Sequence, residues 1–145
     1  MAPIRIHSRL QHFSLLTRIT RVSSEAIGAT ADFHRLPAFC GLEVMAQLAA
    51  LHVRHCTFFQ RHAFLLKVHR YRWRPQKALS GCYTLSAEQD SKSSDAFVYR
   101  VWALGPEDAR LDADLLIGTQ AYTDEFREDI LQAHYRNVFY RLQHD

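Results

Sequence analysis

Residues 36–51 read LPAFCGLEVMAQLAAL, an apolar run that opens on Pro37 and holds a single acid, Glu43. Pro37 suits a first helical turn, and Leu42, Met45, Ala46, Ala49 and Val53 follow at spacings of three and four, so a helix is predicted over about 37–56. At 3.6 residues per turn, Glu43, Gln47, Ala50 and Arg54 fall within about 40° of one line. Between Asp32 and Glu88 no other acid occurs. Burying a lone carboxylate costs several kcal/mol unless it is paired or does chemistry. Glu43 is therefore either a reactive group or half of an ion pair, with Arg54 or with a basic residue across a dimer interface.

Outward from this helix the hydrophobic period falls to two. LLTRITRV (15–22) and EAIGATADF (25–33) predict two strands joined by the polar turn SSE. After the helix, AFLLKVHRYRW (63–73), GCYTLSAE (81–88), AFVYRVWAL (96–104) and RLDADLLIGTQAY (110–122) predict four more, separated by Pro75, DSKSSD and GPEDA and read as an antiparallel meander. In the third of these, Phe97, Tyr99, Val101 and Ala103 alternate with Val98, Arg100, Trp102 and Leu104. Ala46, Ala49 and Ala50 would let strands approach the helix closely. A last segment, about 124–143, carries acids in its first turn and apolar residues at Leu131, Tyr135, Val138, Phe139 and Leu142, which predicts an amphipathic C-terminal helix. The elements describe an α+β domain in which a sheet has one long helix to wrap.

At 145 residues, 48% apolar and 23% charged, the chain fits one domain, 1–145, with its core over about 13–123. No run of about 18 uncharged apolar residues occurs, and Arg5, His7 and Arg9 interrupt the first segment. Neither a membrane span nor a signal peptide is predicted, and the chain reads as a cytoplasmic protein. Cys40, Cys56 and Cys82 are odd in number and lack C-x-x-C spacing, which suits reduced thiols. No H-x-x-x-H with a helical glutamate base is present, so no metal is expected. Cys40 stands near the helix start, where a thiolate is favoured, but it lacks His and Asp partners at fixed spacing and reads as a small buried hydrophobe.

The net charge of +3 is unevenly spread: from His34 to Ala87, eight Lys or Arg face Glu43 alone. Basic and aromatic residues interleave in KVHRYRWRPQK (67–77). In a strand, Arg70, Arg72 and Arg74 share one face and His69, Tyr71 and Trp73 the other. Such a basic edge suits an acidic partner, and nucleic acid is not the expected one.

The stretch P-A-F-C-G-L-E-V-M-A-Q resembles the helix start of the hot-dog-fold 3-hydroxyacyl-acyl-carrier-protein dehydratases, P-G-V-L-x-x-E-A-M-A-Q. Pro37, Glu43, Met45, Ala46 and Gln47 stand in register. It resembles still more a divergent branch of aryl-polyene type, P-A-[WF]-x-G-[IL]-E-x-M-A-Q. FLLKVHRYRWRP and the strand order are similar too, so the resemblance spans most of residues 13–123, with the helix motif as its specific part.

The resemblance implies a hot-dog dimer, homomeric or paired with a homologue. An acyl group on the phosphopantetheine of an acyl carrier protein would enter a tunnel at the subunit interface, with no other cofactor. Removing water from a 3-hydroxyacyl thioester needs a base for the C2 proton, an acid for the C3 hydroxyl and donors for the enolate-like oxygen. Glu43 is implied as one of the acid/base pair, its place about two turns into an apolar helix favouring the protonated form. The free N–H groups of Ala38 and Phe39 are implied as donors to the thioester carbonyl, and Gln47, one turn on, as the residue that orients Glu43. The family's second catalytic residue is a His in H-F-P-G-x-P-x-x-P, eight residues before the proline. That register here holds Ala29 in a loop contracted to FHRLP, which leaves His34 as the nearest imidazole. The departure keeps two alternatives open: a catalytically impaired subunit that completes a dimer with an active homologue, and an acyl thioesterase.

Overall fold

The computed structural model describes residues 15–74, 78–123 and 127–144. The first residues, the Pro75 turn and the start of the predicted C-terminal helix lie outside them. In chain order the elements are β1 (Leu16–Val22), β2 (Ala26–Leu36), α1 (Ala38–Cys56), β3 (His62–Arg74), β4 (Leu79–Lys92), β5 (Ala96–Leu104), a single 3-10 turn at Pro106–Asp108, β6 (Arg110–Gln120) and α2 (Glu128–His144).

The six strands form one antiparallel sheet in the order β1-β2-β4-β5-β6-β3. The predicted meander is thus corrected: β4, β5 and β6 follow one another, but β3 lies beyond β6 and β4 pairs with β2. The reason is the helix between β2 and β3, which carries the chain across the sheet, so that β1 and β3 become its two edges. Alternation within a strand reports which face is buried and says nothing about which strand lies alongside.

α1 touches all six strands, so the sheet curls around it. The inward rows are apolar, among them Ile27, Ala29, Ala31 and Phe33 of β2, Tyr99, Val101 and Ala103 of β5, and Leu111, Ala113, Leu115 and Ile117 of β6. Gly41 sits where α1 comes closest: an added Cβ would stand 2.7 Å from Leu111 Cδ1 and 3.0 Å from the Tyr71 hydroxyl. Val44, Met45, Leu48 and Ala49 of α1 are fully buried against this surface, whereas Ala46 and Ala50 are only half-buried. Of the three alanines expected to admit the strands, Ala49 does so; the other two line an open cleft.

α1 ends in two left-handed residues, Phe58 (φ 56°) and Phe59 (φ 60°), a costly pair for side chains with a Cβ. α2 holds this corner: Arg136 Nη2 donates to the Phe58 carbonyl at 3.2 Å, and the Phe59 ring packs edge-on against Phe139. Leu131, Val138, Phe139 and Leu142 are the buried side of α2, as the sequence spacing predicts.

Candidate functional site

The side of α1 that misses the sheet faces the gap between β1 and β3. There Glu43, Gln47, Ala50 and Arg54, the residues that share one line in the sequence, form one wall of a cleft of about 420 Å³. Leu16 of β1, Phe64 and Leu65 of β3, and His134, Tyr135 and Val138 of α2 complete it. Small side chains at Ala46 and Ala50 give the cleft its depth, and its lining is mainly apolar.

Glu43 is the only carboxylate in this lining among the described residues. It is exposed in the single chain, which corrects the expectation of a buried carboxylate: the line it shares with Gln47 lies off the sheet-facing side of the helix, and water reaches it. An ion pair with Arg54 is excluded by the helix itself, because eleven residues at 1.5 Å each separate the two by about 16 Å along the axis. Gln47 lines the same cleft one turn from Glu43.

At the start of α1 no side chain caps the helix, so the N–H groups of Ala38 and Phe39 have no acceptor within it. Phe39, one turn before Glu43, is 64% exposed. Tyr71 of β3 ties this end to the sheet by donating its hydroxyl to the Ala38 carbonyl, and burial above all pushes its pKa up to about 12. Burial and the nearby charge of Glu43 push the Cys40 thiol upward as well, the reverse of what a thiolate nucleophile requires.

His34 does not line the Glu43 cleft in the single chain. It lies exposed on β2, next in sequence to the buried Phe33, at a bulge where Arg35 turns left-handed (φ 51°) and pairing with β4 shifts register. The histidine that shares the cleft with Glu43 is His134 of α2, only 6% exposed. No motif marks it; its one sequence signal is its place on the apolar side of an amphipathic helix, beside Leu131 and Val138.

Arg54 is enclosed at the other end of the cleft, 2% exposed. Its Nη2 donates to the Ala63 carbonyl at 2.8 Å, and its guanidinium lies 3.6 Å from the centre of the Tyr135 ring.

The basic face of β3 carries its own counter-charges. Arg70 lies 3.2 Å from Asp114 and 3.7 Å from Asp112, and Arg72 lies 3.3 Å from Asp112. Arg74 instead stands opposite Arg110 of β6, with no ion pair for either among the described residues, and Trp73 is 42% exposed beside them. No three or more His, Cys, Asp or Glu side chains gather as a metal site among the described residues, and no helix there is long and apolar enough to cross a membrane.

No protein-family model and no curated protein sequence matches this chain. Its structure does match solved ones. A thioesterase from Haemophilus influenzae superposes with a TM-score of 0.58 at 12% identity, over 71% of this chain and 77% of that one. The dehydratase heterocomplex ApeI:P from Xenorhabdus doucetiae gives 0.63 at 12%, over 79% and 86%. A hypothetical thioesterase with coenzyme A from Streptococcus pneumoniae gives 0.59 at 12%, over 72% and 85%. With its single long helix wrapped by a six-stranded antiparallel sheet and a helix added at the C-terminus, the chain has the hot-dog fold.

Proposed function

We propose that this chain acts on acyl thioesters in the Glu43 cleft, as a 3-hydroxyacyl-carrier-protein dehydratase-like hydro-lyase. The observation that carries this reading is the placement of one carboxylate, Glu43, in an otherwise mainly apolar cleft along α1, about one turn beyond a helix start with no side-chain cap. The helix motif adds the substrate class. Structural neighbours that include both thioesterases and a dehydratase complex support thioester chemistry in general.

In this reading the thioester oxygen accepts from the N–H groups of Ala38 and Phe39, where the helix dipole favours developing negative charge. A base takes the C2 proton, the electrons of that C–H bond become the C2–C3 double bond, and the C3–O bond breaks as Glu43 gives its proton to the departing hydroxyl. Water and an enoyl thioester result. Gln47 orients Glu43. For the base there are two imidazoles: His34, the nearest to the family's histidine position (which holds Ala29 here), which would have to act from a second subunit, and His134, which already lines the cleft.

The proposed assembly is a dimer through the outer edge of β3. That strand has 13 residues, pairs with β6 on one side only, and exposes Leu65 and Leu66 next to the cleft. A partner there would also cover Glu43 and desolvate it. The carrier protein is proposed to dock on the basic face of β3, Arg70, Arg72 and Arg74, with Arg74 as the strongest contributor because it has no ion pair among the described residues.

Thioester hydrolysis is the second reading, favoured by the placement of His34 outside the cleft, since one acid and a water suffice for it. Incubating the protein with 3-hydroxyacyl-carrier protein and following the mass separates the outcomes. Loss of water supports the dehydratase, loss of the acyl chain the thioesterase, and no change the impaired-subunit alternative.

A further inference from the structure

Arg54 lines the cleft, yet the proposed reaction does not use it. A guanidinium taken out of water needs an anion, because carbonyls and aromatic faces return only part of its lost hydration. Around Arg54 the contacts are neutral: the Ala63 carbonyl, the Tyr135 ring, the Tyr122 hydroxyl and His62 Nδ1, 3.3 Å from Nη2. No carboxylate pairs with it among the described residues, and its Nη1 is buried without an acceptor. Burial pushes the guanidinium pKa downward, the direction for a cation that lacks a counter-charge.

We infer that the cleft accepts acyl chains ending in a carboxylate, and that Arg54 Nη1 binds that terminus. The inference rests on reading the cleft as the acyl-thioester site. Glu43 and Arg54 stand about 16 Å apart along one face of α1, with Ala46 and Ala50 leaving room between them. With its thioester at the Ala38 and Phe39 end, a long chain, on the order of fourteen carbons, places its charge at Arg54. A carboxylate fits better than a phosphate, because the site offers a single positive charge: burial, and then the charge of Arg54, lower the pKa of His62 to about 4, so that imidazole is neutral. A dianion would be left half compensated.

Calorimetric titration of the whole protein with three pantetheine conjugates tests this, prepared as amides so that they cannot turn over. These carry tetradecanoyl, tetradecanedioyl (the same length with a free terminal carboxylate) and the corresponding neutral terminal-amide groups. The tetradecanedioyl conjugate should bind at least about tenfold tighter than the other two. Arg54→Lys should keep part of that preference and Arg54→Gln should lose it. If the wild-type protein binds all three equally, the inference falls while the acyl-thioester reading stands. If free tetradecanedioate binds as tightly as its pantetheine conjugate, Arg54 remains an anion site and the thioester reading falls. Binding of none of these probes removes both.

Discussion

The guanidinium of Arg54 on α1 lies over the ring of Tyr135 on α2, 3.6 Å from its centre, and so joins the C-terminal helix to the cleft that Glu43 opens. Tyr135→Ala should cost about 2 kcal/mol or more, since it removes a desolvated cation–π contact and part of the packing around a buried charge. Tyr135→Phe should keep most of the stability. Urea denaturation of the two variants measures the difference.

Stability should fall in mildly acidic solution because of His62. Burial, and next the charge of Arg54, hold its folded pKa at about 4, below the ordinary histidine value of 6.5. Between these values the unfolded chain binds more protons than the folded one. Stability therefore rises with pH across that window and is flat above it, with a span of at most about 3 kcal/mol, reduced by solvent screening because the ring is only half-buried. His52, buried and also lowered, acts in the same direction. Denaturation midpoints measured from pH 7.5 down to 4.5 should show the decline, and His62→Gln should reduce it.

The helix around Glu43 and the alternating strands were legible in the sequence because each follows a local period that the structure keeps. Pro37 marks the start of α1, and the inward row of β5 is the apolar row of AFVYRVWAL. The place of β3 was not legible, since pairing across a crossover helix is non-local. Nor was the exposure of Glu43: Ala46 and Ala50 look the same in sequence whether they admit a strand or floor a cleft. The Tyr71 bond to Ala38 and the arrival of His134 depend on how β3 and α2 fold back, 33 and about 90 residues from their partners.

The protein should be a dimer in light scattering at micromolar concentration. Leu66→Lys should give a folded monomer, because that side chain is 54% exposed in the single chain while a charge on an edge strand opposes edge-to-edge pairing. A wild-type monomer that forms a heterodimer only with a hot-dog homologue would favour the impaired-subunit alternative.

Carrier-protein affinity should fall about tenfold or more at low salt in the double variant Arg74→Glu, Arg110→Glu, and the effect should shrink as salt rises. Replacing Arg70 and Arg72 by Gln should matter less, because Asp112 and Asp114 already offset them. Surface plasmon resonance over a salt series distinguishes these expectations from a dock elsewhere on the chain.

The most direct measurement compares wild type with Glu43→Gln on a 3-hydroxyacyl-carrier protein, reading product mass and melting temperature together. The substitution keeps size and some hydrogen bonding but cannot transfer a proton. Wild type should release water, and the variant should turn over at least about 100-fold more slowly. Glu43 is exposed in the single chain and makes no hydrogen bond or ion pair among the described residues, so the substitution should leave the melting temperature nearly unchanged. A variant that retains wild-type turnover, or one that loses activity only because it no longer folds, would contradict the assignment of Glu43 as the proton donor.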